Sequence, residues 1–169
     1  TTIRNNDAVL GAGIYTIDAV NPIVISSSAI IGNDATGSGG GIYDTGSWSL
    51  SITDTTIDTN TAGNLGGGVY LDDVQGAFVS LTIVGNSATQ GGGVYAIAGP
   101  SPGFQIRQTR LDGNNGASAL YLAGDTGTSL HDVSLNGNTS NPAVTLAYTV
   151  VAENLLLLQV GFLRDALGG

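Results

Sequence analysis

Apolar residues in this chain fall in short alternating runs, and the runs repeat. "GAGIY" occupies 11–15, "GGGIY" 39–43, and "GGGVY" both 66–70 and 91–95; "ASALY" at 117–121 is a weaker copy and "NPAVT" at 141–145 a remnant. The steps between them are 28, 27, 25, 26 and 24 residues, a period that marks a solenoid. A second signal keeps phase with the first: an aliphatic residue, two arbitrary residues, then Asn. It pairs Ile3 with Asn6, Ile30 with Asn33, Ile57 with Asn60, Ile83 with Asn86, Leu111 with Asn114 and Leu135 with Asn138. A third signal lies five residues before these aliphatics, at Ile25, Ile52, Phe78, Ile106 and Leu130.

Side chains on one face of a strand are separated by even numbers. A spacing of five therefore turns both residues inward only if the chain bends between them. Each repeat then holds three short strands with corners between: one ending near the Ile of Ile-x-x-Asn, one at Gly-Ile-Tyr, and one between. Thr, Val, Ile and Tyr fill the strand positions, as sheets prefer, and no repeat carries a competing helical period. The pattern predicts an all-β parallel β-helix of about six coils of 24–28 residues, each coil about 4.8 Å above the last and the rod core roughly 30 Å long. It forms one domain over 1–161, with 162–169 a tail or a short helical cap. The run "LLLLQVG" is read as a last copy of the Ile-x-x-Asn strand, with Leu158 in the Ile column and Gly161, three residues on, where Asn would stand.

The triple glycines run directly into good strand formers, so they act as register marks. Glycine permits positive φ and close backbone approach. Val94 then shares an inward column with Ile14, Ile42, Val69, Leu120 and Val144. The Asn column is expected at a corner, because Asn tolerates the left-handed region and stacked amides bond to one another coil over coil.

Composition narrows the function. Charged residues are 10% of the 169, there is no Lys, and the cations are Arg4, Arg107, Arg110 and Arg164. The net charge of −9 argues against a nucleic-acid partner, which needs a basic face. Cysteine is absent, so there is no disulfide framework or thiolate chemistry. A Lys- and Cys-free chain rich in Gly, Ser, Thr and Asn suits a secreted, extracellular or cell-surface bacterial protein. The longest apolar runs, Val94–Ala98, Ala119–Ala123 and Leu155–Leu158 among them, are far short of the roughly 20 residues of a membrane span.

These two motifs in phase resemble the polymorphic outer-membrane-protein repeats of bacterial autotransporter adhesins and, more widely, the pectin-lyase-like fold. The resemblance covers roughly residues 3–161. The chain departs from it by using Ile or Leu where Phe is common, and by losing the glycines in coils five and six. The resemblance implies a right-handed β-helix, as does the general crossover rule. It leaves function open, since that fold hosts lyases, hydrolases, esterases, adhesins and phage spikes. At its ends the chain starts on the last strand of a coil and finishes likewise. This is expected of a segment of a longer solenoid, or of a subunit that self-associates through open β-helix ends.

Candidate chemistry is sparse. Pectate lyases of the resembling fold use Lys or Arg with acidic calcium ligands, and glycosidases need carboxylates at a set spacing. Asp72 and Asp73 are consecutive and so face opposite ways on a strand. Arg107 and His131 each stand four residues before a column aliphatic, which predicts neighbouring positions on adjacent coils. With Arg110 and Asp112 nearby, they form a possible anion or acid–base cluster. Tyr15, Tyr43, Tyr70, Tyr95 and Tyr121 each follow an inward aliphatic, so alternation points them outward as a stripe; the opposite assignment would bury them in the core. An outward aromatic stripe suits sugar rings or a protein surface, or serves as a cross-strand ladder. Asp18, Asp44, Asp72, Asp73 and Asp125 follow the tyrosines at irregular spacing, a solvated rim or weak calcium ligands. Asn138-Thr139-Ser140 is a glycosylation sequon, but Asn138 belongs to the Asn column and should be enclosed. The expectation is a non-catalytic structural or adhesive module needing no cofactor. The alternatives are a carbohydrate-active enzyme of the pectin-lyase-like fold and a subunit of an end-to-end filament.

Overall fold

A computed structural model of the chain describes residues 1–98, 104–124, 128–140, 142–147, 151–158 and 164–165. Among these the chain is a parallel β-solenoid of about five turns with no helix. Val69 and Val94 are direct neighbours on adjacent coils, in a column that runs Ile14, Ile42, Val69, Val94, Leu120, Val144. The second column runs Ile3, Ile30, Ile57, Ile83, Leu111, Leu135. The third runs Ile25, Ile52, Phe78, Ile106, Leu130. From the second coil on, all three columns are buried and form one apolar core. Each such side chain contributes about 1.5–3 kcal/mol by leaving water, and in-register stacking keeps every one of them on the core side.

The Gly-Ile-Tyr strands form a seven-stranded parallel sheet that includes Ile14–Ile17, Ile42–Thr45, Val69–Asp72, Val94–Ala98 and Leu120–Gly124. The other two strands of each coil belong to one eleven-stranded sheet, because Ser129–Asn136 runs through the bend between them without a break. The spacing of five is resolved at that bend. Ser27, Asp54, Ser80, Gln108 and Asp132, each two residues past the third column, have φ of 45° to 58°. One left-handed residue reverses the alternation, so that residues five apart both face the core. Hydroxyls stitch the bend. Thr55 Oγ1 donates to the Thr53 carbonyl at 2.8 Å and accepts from the Ser28 N–H at 3.3 Å. Thr109 repeats this with Arg107 and Leu81.

At the next corner the left-handed residue is the one before the Asn column: Asn5, Gly32, Thr59, Gly85, Gly113 and Gly137. The Asn column itself does not use the conformational tolerance expected of it; its side chains are turned inward to bond the stack. A short three-stranded sheet follows, Asp7–Ala8, Asp34–Ala35 and Thr61–Ala62, a fourth paired stretch that the three-strand reading omitted.

Within one glycine triplet each position has its own reason. Gly66 has φ +64°. A Cβ on Gly67 would lie 2.4 Å from the carbonyl oxygens of Gly92 and Ser87, and one on Gly68 would lie 2.5 Å from the Gly93 carbonyl oxygen and 3.2 Å from the Asn86 side chain. The glycines thus let the corner close against the coil beside it.

Two expectations at the C-terminal end are corrected. Leu135 pairs with Leu157, and Leu158 pairs with Asn136, one residue off that reading, because a run of four leucines carries no register mark. Arg164–Asp165 is a strand paired with Thr145 and Leu146, where a helical cap was expected; its backbone groups complete the edge of the seven-stranded sheet. Gly161 lies outside the described residues.

Candidate functional site

The five tyrosines form the candidate site. They stand outside the apolar core, on the outer face of the seven-stranded sheet, with Ile42, Val69, Val94 and Leu120 on the inner face. Parallel in-register pairing sets identical side chains one strand spacing apart, and the rings stack face to face. Centroid distances are 5.3 Å for Tyr15–Tyr43, 4.8 Å for Tyr43–Tyr70, 5.6 Å for Tyr70–Tyr95 and 4.5 Å for Tyr95–Tyr121, with planes within 14° of parallel. Tyr15 at the open end is half exposed, whereas Tyr95 inside the stack is 8% exposed. The ring faces are therefore taken up by one another, and the stack turns its edges and hydroxyls outward.

A second outer column flanks the stack two residues on: Ile17, Thr45, Asp72, Ile97, Ala123. Its carboxylate, Asp72, stands two residues from Tyr70 on the same strand and so on the same face. Burial within the stack, and then this carboxylate, push the Tyr70 phenol up to about 12. Tyr43 is raised by burial, then by Tyr15 and Asp72; Tyr95 is raised by burial, then by its neighbour Tyr121 and by Asp72. Desolvation penalises the phenolate and nearby negative charge adds to it, so these three phenols are held in the neutral form. The sequence reading counted Asp72 among the acids that follow the tyrosines; what it missed is that its charge reaches three rings.

The other acids are dispersed. Asp18 and Asp73 occupy left-handed corner positions at φ 47° and 55°. Asp44 faces inward and is fully buried in the column Thr16, Asp44, Leu71, Ala96, Leu122, where the Ser47 hydroxyl donates to it. It is thus no part of an acidic rim. Asp125 lies outside the described residues. Among the described residues no three His, Asp or Glu side chains gather closely enough to hold a metal ion.

Arg107 and His131 are neighbours on adjacent coils, as the spacing predicts. Arg110 stands across the bend, with its Nε 2.5 Å from Asp112, while His131 Nδ1 lies 2.8 Å from Asp132. Asn138 is enclosed at the end of the Asn ladder. Among the described residues, large exposed apolar side chains that the sequence reading did not single out are Val9, Ile17, Val20, Val24 and Trp48, on the first two coils.

The fold and the stack define a parallel β-solenoid with an external aromatic ladder. Compared with protein-family models, with curated proteins and with solved structures, the chain matches none. Among the described residues no helix is long and apolar enough to cross a membrane.

Proposed function

We propose that the chain is a non-catalytic structural and adhesive module of a secreted or surface-displayed bacterial protein, presenting the tyrosine side of its solenoid to a glycan or protein surface. The observation that supports this is the unbroken run of five stacked rings on the outer face of a sheet whose core is already filled by aliphatic columns. The stack offers a partner a regular row of ring edges and hydroxyls at coil spacing, with Ile17, Asp72 and Ile97 alongside. Such a row suits an extended, repeating partner. The likeness of the Gly-Gly-Gly-Val-Tyr and Ile-x-x-Asn phases to right-handed adhesin repeats of the pectin-lyase-like class supports the same reading.

The test is retention of the intact chain on immobilised polysaccharides and on cell-surface protein extracts. Replacing Tyr43, Tyr70 and Tyr121 together by Phe keeps the rings and removes the hydroxyls. Retention should weaken while the fold is unchanged. Release of new sugar ends from a polysaccharide would overturn the reading in favour of an enzyme, and no retention on any surface would overturn adhesion.

A further inference from the structure

The chain contains neither Cys nor Met, the side chains that ordinarily take up oxidising equivalents in a protein. Here those equivalents meet chiefly aromatic rings: six Tyr and one Trp. Five of the six tyrosines stand in one stack, in register and nearly parallel. Parallel register makes the phenols of adjacent coils immediate neighbours, with ring centroids 4.5 to 5.6 Å apart. Joining two ortho carbons requires the two rings to turn out of parallel so that their edges meet.

We propose that the tyrosine stack is a site of oxidative phenol coupling, at which hydrogen peroxide acting through a haem peroxidase joins neighbouring ladder tyrosines and so staples one coil covalently to the next. Each phenol gives one electron to the oxidant and releases its hydroxyl proton. The two phenoxyl radicals form one carbon–carbon bond between ortho positions. The hydrogens on those two carbons then move to the phenoxyl oxygens, restoring two phenols. The peroxide takes up the two electrons and two protons and leaves as two waters. Tyr15, half exposed at the end of the stack, is where a bulky oxidant reaches it. Tyr95 is covered and is reached through its ring neighbours. At Tyr70 the Asp72 carboxylate, two residues along the same strand face, stands ready to accept the hydroxyl proton. In a chain without cysteine, this is a route by which coils can be joined covalently through side chains.

The experiment treats the intact chain, diluted so that molecules rarely meet, with hydrogen peroxide and a haem peroxidase. Dityrosine fluorescence is measured and linked peptides are mapped by mass spectrometry. A Trp48→Phe background removes the competing indole. The expected product is a monomer lighter by two hydrogens per link, joined between consecutive members of the series Tyr15, Tyr43, Tyr70, Tyr95, Tyr121. The double variant Tyr43→Phe, Tyr95→Phe leaves no two neighbouring phenols while keeping the rings stacked. It should lose the intrachain links at an unchanged melting temperature. Equal intrachain coupling in that variant would overturn the proposal. So would a parent chain that couples only between molecules, reacts only at Tyr148, or does not couple at all.

Discussion

The side-chain oxygen of Asn114 accepts two hydrogen bonds from Asn86, one from its backbone N–H at 3.0 Å and one from Nδ2 at 3.1 Å. Asn86 accepts the same pair from Asn60, and its Nδ2 also donates to the Ile57 carbonyl at 2.9 Å. The pattern runs in one direction from Asn6 to Asn138. From Asn33 to Asn114 the residues are fully buried. Each amide satisfies groups on both neighbouring coils, so the ladder closes the polar corner of an otherwise apolar interior.

Asn86→Ala should accordingly be far more damaging than Asn6→Ala. The first leaves the Asn60 N–H and the Ile57 carbonyl buried without that partner, at about 1–3 kcal/mol for each group, so roughly 2–6 kcal/mol in all. The second removes an exposed end of the ladder, where water replaces the amide, and should cost about 1 kcal/mol or less. Urea denaturation of the two variants measures the difference; similar losses would show that the ladder is not cooperative along the stack.

Two glycines separate clash from strain. A Cβ at Gly67 would sit 2.4 Å from two backbone carbonyl oxygens, whereas one at Gly113 meets nothing closer than 4.0 Å but requires φ near +60°. Gly113→Ala should cost roughly 1–2 kcal/mol, the penalty of a left-handed Cβ, and Gly113→Asn less, since Asn5 already holds the equivalent corner. Gly67→Ala has no side chain to push aside and must force adjacent coils apart. Its melting temperature should fall well below that of Gly113→Ala.

The three aliphatic columns, the Asn ladder and the neighbourhood of Arg107 and His131 were legible in the sequence because each rests on repeated spacing, and parallel stacking turns equal spacing into contact. The left-handed corner was not read, although Asn5, Gly32, Gly85, Gly113 and Gly137 are residue types that tolerate that conformation; only at Thr59 does the stacking geometry impose it on a side chain that does not favour it. Asp44 was read as a surface acid because a carboxyl in the column of Leu71 and Leu122 runs against burial preference. The orientation of the tyrosines was only half legible. Alternation placed them outside the core, but the face-to-face stacking that leaves only edges exposed follows from the strand spacing, and the sequence reading did not draw it.

Asp44 offers a stabilising substitution. One of its carboxyl oxygens is buried with no hydrogen-bond partner, and its column neighbours on later coils are apolar. Asp44→Leu removes that polar atom and extends the column, which should raise stability by about 1 kcal/mol or more. Ser47 Oγ still accepts from the Ala19 N–H at 3.3 Å but loses the acceptor of its own buried O–H, so Ser47→Ala is made alongside to leave no buried hydroxyl unpaired. Thermal melting of Asp44→Leu against Asp44→Ala checks the argument: the alanine variant leaves a cavity and should melt lower than the leucine one.

The stack also makes stability sensitive to alkali. A Tyr in the unfolded chain ionises near pH 10, whereas Tyr70 in the folded chain ionises at about 12, and Tyr43 and Tyr95 are displaced the same way. The folded state therefore holds these phenolic protons after the unfolded state has lost them. Their contribution is fully present below about pH 10 and falls away as the pH rises through the folded values. Denaturation midpoints should decline over that window, and phenolate absorbance should show a late-titrating fraction that disappears on unfolding. Tyr70→Phe keeps the ring in the stack but has no proton to lose, so its alkaline decline should be shallower than that of the parent chain. A variant and parent with superimposable pH profiles would mean that the ladder hydroxyls are hydrated like free phenols and that the stack does not shield them.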